Sequence, residues 1–489
     1  MTQRKRNQHL LWRSGFGPAV HQIQSLDQQD PSALWNTILK DSEKAPVKLE
    51  VAENRLQSLF EGIEGEAAMR QFQKENKEAI AEQVRLMRQS SREDLKKLNH
   101  LWMNEMVHSP AQLREKVSFF WHGHFACRVM SAFQQQELLH TIRTHALGNF
   151  GDLLRGVSKS PAMLAFLNNQ QNRKRSPNEN FAREVMELFT LGRGHYTETD
   201  VKEAARAFTG WSYDSKSGFE FKSYIHDDGV KNFMGRTGRF TGDDIINILL
   251  EQKQTARYIT EKIYRFFVHE KPDAEKIQPL ADDFFKSGYN IKSLFHNLFS
   301  ADWFYDSKNI GNRIKSPVEY MAGIRRFVPV TLDNPNSSLV FQQVLGQVLF
   351  LPPNVAGWPG GRSWIDSSSL MVRLQLPRIW ASKEDFTLQL KGDDDVEMGR
   401  TPEEMQAARK ARNFISRAGA ADWNWEPVWK NYADTSRERL YEEIAAHLLQ
   451  TKKAPGKQVV ELYVDKSSRE HYISSTIIQL MSTPEYQVC

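Results

Sequence analysis

The sequence predicts an all-α protein: a large multi-helix body with a long N-terminal helical hairpin and a small β-hairpin insertion. Three observations carry this. Ser109-Pro110-Ala111-Gln112, Ser176-Pro177-Asn178-Glu179, Ser316-Pro317-Val318-Glu319 and Thr401-Pro402-Glu403-Glu404 each read as a helix start. The hydroxyl can accept from the third-position N–H while Glu or Gln reaches back, and proline at the first position has no donor to waste. Residues 46–108 are rich in Glu, Lys, Gln, Ala and Leu, with only Gly62 and Gly65 interrupting. Over much of the remaining chain apolar residues recur at helical spacing.

Taken in order, 46–108 reads as two long helices folded back as a hairpin with solvated charged faces. Leu113, Val117, Phe120 and His124 then align at helical spacing. A helix from Pro177 stops at Gly192 or Gly194, and Thr197-Glu-Thr-Asp200 starts the next, with Val201, Ala204, Ala205 and Phe208 as its core stripe. After Trp211 the pattern alternates briefly and Gly235, Gly238 and Gly242 follow, which predicts a small β-hairpin and loop over 212–242. Helices resume from Asp243 to Phe304, with Ile259, Ile263, Phe266 and Phe267 as one apolar stripe. A helix over 338–350 ends in Pro- and Gly-rich 351–366, which must be a loop carrying two tryptophans. Residues 391–435 read as a peripheral helix with loops, and a helix around 470–482 closes the chain. Residues 1–390 are thus expected to form one helical body, with 391–489 a helical extension packed on it.

Composition narrows the function. With 65 basic and 60 acidic residues the net charge is +5, small for 489 residues, so nucleic-acid binding gains no support. Arg173, Lys174 and Arg175, the densest basic cluster, read as a solvated loop. Cys127 and Cys489 are the two cysteines, which excludes a disulfide framework or a cysteine-rich zinc site. The basic N-terminus lacks the apolar run and cleavage site of a signal peptide, and no stretch offers the roughly 18 apolar residues a membrane helix needs. A soluble cytoplasmic protein is expected. No P-loop, dinucleotide glycine fingerprint, His-Glu-x-x-His motif or Gly-x-Ser-x-Gly elbow appears.

Several segments together resemble the bacterial domain-of-unknown-function 1800 family. They are His9-Leu-Leu-Trp-Arg-Ser-Gly-Phe-Gly-Pro18, Lys116-Val-Ser-Phe-Phe-Trp-His-Gly-His-Phe125, the block 178–211, Ser316-Pro-Val-Glu319, Pro352-Pro-Asn-Val-Ala-Gly-Trp-Pro359 and the closing Ser482-Thr-Pro-Glu-Tyr-Gln487. The resemblance implies a helical architecture and no established reaction. It also implies a partner, a sulfatase-like protein of the domain-of-unknown-function 1501 family. No export signal of the kind common among such proteins is evident here, which puts a periplasmic location in doubt and leaves export with that partner open.

The 178–211 block offers the best candidate site. At about 100° per residue, Asn180, Arg183, Glu184 and Glu187 fall within an arc of about 100°, with Phe181, Val185, Leu188 and Phe189 opposite. Paired carboxylates can divide acid and base roles beside an arginine, or hold a divalent metal through oxygen ligands. The plainer reading is a solvated face with Arg183 and Glu187 as an i, i+4 pair. His122 and His124 point about 200° apart on a helix and cannot share one ion. His124, inside the apolar stripe, is read as a buried histidine or a catalytic one, with a Glu of the 180–187 face as its expected partner. His122 is expected exposed or satisfied locally, and His195 exposed in a turn. Glu203 and Arg206 read as a structural pair. His226 and Asp227 either complete the charged cluster or start a turn. Trp211, Trp358 and Trp364 are candidate substrate-stacking faces or packing plugs.

Two functions fit. The first is an enzyme using the 180–187 face for acid–base or metal-assisted hydrolysis of a carbohydrate or a sulfated or phosphorylated substrate. The second is a noncatalytic partner or scaffold for the sulfatase-like protein.

Overall fold

The computed structural model describes residues 2–54, 71, 74–214, 218–334, 336–382 and 421–489. The described residues are mostly helical, with small antiparallel strand pairs. The chain opens with α1 (Gln3–Ser14) and α2 (Pro31–Ser42). The long α3 (Lys77–His108) covers the second half of the stretch expected to form a hairpin. Residues 55–70, 72 and 73 of the first half lie outside the described residues, and 46–54 are not helical. Gln136 explains why: its Oε1 accepts from the backbone N–H groups of Val51 and Ala52 at 2.8 and 3.1 Å, and its amide donates to Ala52 O. A side chain there satisfies backbone groups that a helix would otherwise pair.

Next come α4 (Gln112–His124), α5 (Ala132–His145), α6 (Phe150–Ser158), α7 (Pro161–Phe166), α8 (Glu179–Glu184), which runs on as a π-helix over Val185–Thr190, and α9 (Glu198–Ala207). The 212–242 insertion contains two hairpins rather than one: β1 (Trp211–Asp214) with β2 (Gly218–Phe221), and β3 (Lys231–Phe233) with β4 (Arg236–Gly238). Helices α10 (Gly242–Leu250), α11 (Lys253–Phe267), α12 (Ala274–Lys286), α13 (Ile291–Phe299) and α14 (Pro317–Phe327) follow. A strand pair absent from the sequence reading then ties β5 (Val330–Leu332) across α15 (Asn336–Val344) and α16 (Ser367–Ser382) to β6 (Ala421–Trp423). The end is α17 (Glu426–Asn431), α18 (Leu440–Leu448), α19 (Lys457–Val460) and α20 (Arg469–Met481).

Of the proline-marked helix starts, Ser316 forms the reciprocal box: its Oγ accepts from Glu319 N at 3.3 Å and Glu319 Oε2 accepts from Ser316 N at 2.8 Å. The other two described ones start later than expected. Gln112 turns its amide back to Ser109 O and Met106 O, so α4 begins at Gln112 itself. At the start of α8 it is Asn178, not Ser176, whose side chain accepts from Asn180 N. Thr401-Pro402 lies outside the described residues.

Among the described residues there are two apolar cores, one built from residues between Leu10 and Tyr305 and the other from residues between Phe16 and Tyr486. Helix α4 contributes to both and is buried at every position except Gly123. Each side of it meets a different neighbour. Glu115 accepts from Arg143, Arg114 and Trp102 Nε1, Lys116 donates to Glu319, Trp121 Nε1 donates to Ala146 O, and His122 accepts from Phe350 N at 3.1 Å. Gly357, at φ +81°, presses on Gly123: a Cβ there would lie 2.4 Å from the Gly123 carbonyl oxygen, so only glycine lets the 351–366 loop seat on α4.

Candidate active site

The carboxylate face begins where α8 changes pitch. Leu191 N reaches back five residues to Met186 O at 2.8 Å, and Thr190 Oγ1 bonds Val185 O at 2.7 Å. A π segment shifts the helix register, so a projection at about 100° per residue no longer holds beyond Glu184. Phe181, Val185 and Phe189 still reach the core, and Leu188 is half-buried. The polar residues, however, are partnered differently from the expectation. Arg183 binds Glu198 at 2.8 and 2.7 Å and Glu179 at 3.3 Å, and the Glu198 bond pins it in the charged form. Asn180 is exposed and donates to Leu167 O at 3.2 Å.

Glu187 takes its partners from the following turn. Tyr196 OH donates to it, and Arg193 approaches at 3.1 Å through Nε and 2.9 Å through Nη2. The tyrosine bond is the main cause that holds Glu187 below the usual carboxylate range, with Arg193 adding to it. Glu184 goes the other way. It is half-buried, has no hydrogen bond or ion pair among the described residues, and is raised by burial and by the charge of Glu187 against the pull of Arg183.

Helix α11 supplies two residues that the sequence reading missed. Tyr258 OH donates to Leu188 O at 3.3 Å, and burial together with the charge of Glu187 pushes the phenol up to about 12. Lys262 Nζ lies 5.3 Å over the Tyr258 ring, and burial brings its ammonium down to about 8. Tyr258 and Lys262 are one turn apart and each precedes a residue of the apolar stripe, Ile259 or Ile263, which was the signal available. His124 lies deeper, among Phe120, Trp121, Phe125 and Phe189. Its Nε2 is 3.3 Å from the Phe189 carbonyl, so its partner is the backbone of the π segment and not the expected glutamate. Burial, and then the charge of Lys262, keep it neutral to well below its ordinary pKa. Among the described residues no group of three or more His, Cys, Asp and Glu side chains gathers as a metal site would require.

The remaining candidates serve the packing. Trp211 is buried against Phe181, Phe208 and Phe219, so no ring face is left for a sugar. Trp364 is buried, and half-buried Trp358 packs its ring 5.6 Å from that of His122. His122 is itself buried and satisfied by a distant residue, contrary to the expectation of exposure or a local partner, and burial lowers it to about 3. His226 is buried with Nδ1 on Thr209 O at 2.7 Å. Asp227 pairs with Arg206 at 2.8 Å and accepts from Gly229 N, and Arg206 also holds Glu203 at 3.0 Å. These bonds fasten the insertion to α9. His195 is exposed.

The model of the family described as protein of unknown function, DUF1800, matches residues 9–488. The chain belongs to this family. The comparison with curated proteins finds no match, and the comparison with solved structures finds none. No described helix is long and apolar enough to cross a membrane.

The segments that carry the DUF1800 resemblance meet elsewhere in the molecule, around a buried set of charges. Arg13 comes from the first, Lys116 from the second and Glu319 from the fourth, joined by Arg313, Lys315 and Arg373 and by Tyr486 and Cys489 near the end. Lys116 and Arg313 both bind Glu319, the latter at 3.3 and 3.2 Å. Burial alone would raise Glu319, but these two cations outweigh it and hold the carboxylate well below its usual range. Lys315 Nζ donates to Tyr486 O at 2.6 Å and lies 3.9 and 3.6 Å from the ring centroids of Trp12 and Tyr486. Burial lowers it to about 7.

Proposed function

We propose that the chain is an enzyme in which Glu184 and Glu187 form an acid–base pair for hydrolysis of a carbohydrate or of a sulfated or phosphorylated substrate. The supporting observation is that two carboxylates three residues apart are pushed in opposite directions by their surroundings. Such a split assigns roles: Glu187, kept ionised, takes a proton from water, and Glu184, protonated to higher pH, gives one to the leaving group. Arg193 and Lys262 supply positive charge for an anionic substrate group. Activity that needs both forms falls as pH drops through the lowered Glu187 value, and falls again as pH rises through the raised Glu184 value.

The test is a screen of the purified chain against p-nitrophenyl glycosides, phosphates and sulfates, alongside Glu184→Gln and Glu187→Gln. Turnover of one class, reduced on the order of 10²–10⁴-fold in each variant, supports the pair. No turnover of any class, or turnover indifferent to both substitutions, overturns it. One equivalent of divalent metal that is lost in both variants would assign the carboxylates to a metal instead. A second reading, a noncatalytic scaffold for a sulfatase-like protein of the DUF1501 family, would use the 351–366 loop, where Leu351 is exposed. Co-elution with such a partner, with both glutamates dispensable, would support it.

A further inference from the structure

We propose that Arg13 and Arg313, backed by Lys116, enclose a binding site for one small oxyanion of the phosphate or sulfate type, held inside the fold. Arg13 spends only Nη2 on the protein: that atom donates to Asn309 O, Asn312 Oδ1 and Cys489 O at 2.9, 2.9 and 2.8 Å. Its Nε and Nη1, fully buried, have no partner among the described residues. Arg313 likewise binds Glu319 through Nη2 and leaves a buried Nη1 without a partner among them. The two residues meet at Cys489, whose carbonyl oxygen accepts from Arg13 Nη2 at 2.8 Å and from Arg313 N at 3.2 Å.

Charge points the same way. Arg13, Lys116, Arg313, Lys315 and Arg373 face the negative charges of Glu319, Glu270 and Cys489, so cations remain in excess by one even with Lys315 neutral. An uncompensated buried charge is strongly unfavourable. Water could satisfy the free N–H groups but would leave this excess in place. An oxyanion does both, since guanidinium donors match its oxygens and its charge offsets theirs. The site is built from α1, α4 and the segment before α14, so the anion enters as the chain folds and stays through dialysis.

The full chain, purified and dialysed in phosphate- and sulfate-free chloride buffer, is denatured in guanidinium chloride and the released anions are measured by ion chromatography. Close to one equivalent of phosphate or sulfate is expected. Refolding with either anion is expected to raise the melting temperature above that of chloride at equal ionic strength. Arg313→Lys, which keeps the charge beside Glu319 but not the planar donors, is expected to release at least fivefold less and to lose the melting shift. Release of neither anion together with equal melting in all three salts overturns the site, and that result needs no variant to fold. An Arg313→Lys protein that keeps its anion and its shift overturns it as well. Glu184→Gln should retain the anion, so loss of the acid–base reading would leave this one standing.

Discussion

Glu319 and Glu187 are both held below the ordinary carboxylate range, yet by opposite means. Glu319 is 0% exposed, and Arg313 and Lys116, helped by the Ser316 N–H, overcome a burial that would otherwise protonate it. Glu187 keeps a wetted edge, with its side chain 18% exposed, and owes its shift first to one phenol hydroxyl and then to Arg193, whose side chain is 86% exposed. In the first region the charges belong to the architecture, because removing one strands the others. In the second the charge can still be reached by solvent. The contrast separates a carboxylate that organises the fold from one left open to solvent.

Three substitutions break or sharpen this contrast. Glu319→Ala leaves Lys116 and Arg313 buried without their carboxylate and removes half of the Ser316 cap, so a loss of about 3–5 kcal/mol is expected in urea unfolding. A loss below about 1 kcal/mol would mean the cations have other compensation. Arg183→Ala breaks a pair of similar distance at the surface, where Arg183 is 33% and Glu198 69% exposed, and should cost far less than Glu319→Ala by the same measurement. A larger cost would show that the α8–α9 junction depends on it. Smallest in stability is Tyr196→Phe, which should move the Glu187 titration up toward the ordinary value in carboxyl NMR. A lowered native value gives stability that is present above the unfolded carboxylate range and lost as pH falls through the native value, so the variant should lose this contribution at higher pH than the wild type. An unmoved titration would assign the shift to Arg193.

How much was legible follows from where the partners lie. The Ser316–Glu319 cap spans three residues and could be read directly, and so could the apolar stripe of α4 that contains His124. The Lys116–Glu319 pair joins residues 203 apart, and no local pattern encodes it. At the carboxylate face the residue types were found but their pairing was not. The π turn shifts the register, and the partners of Arg183 and Glu187 come from Glu198, Arg193 and Tyr196, beyond the projected stretch. Trp211 shows a different limit. Beside glycine it suggested an open loop, but the glycine that matters is Gly242, whose missing Cβ would lie 2.5 Å from the indole.

Helix α4 has one further consequence. An ordinary amphipathic helix can change its wet half with little penalty, whereas this one is walled in along nearly all of its 13 residues. Its one less buried position, Gly123, has space for a side chain, but the backbone carbonyl there is where Gly357 seats, and a Cβ on Gly357 would lie 2.4 Å from it. Damage there would not single out one activity. It would weaken the two cores, the buried charges and the seat of the 351–366 loop together, as a bent axle disables every wheel it carries.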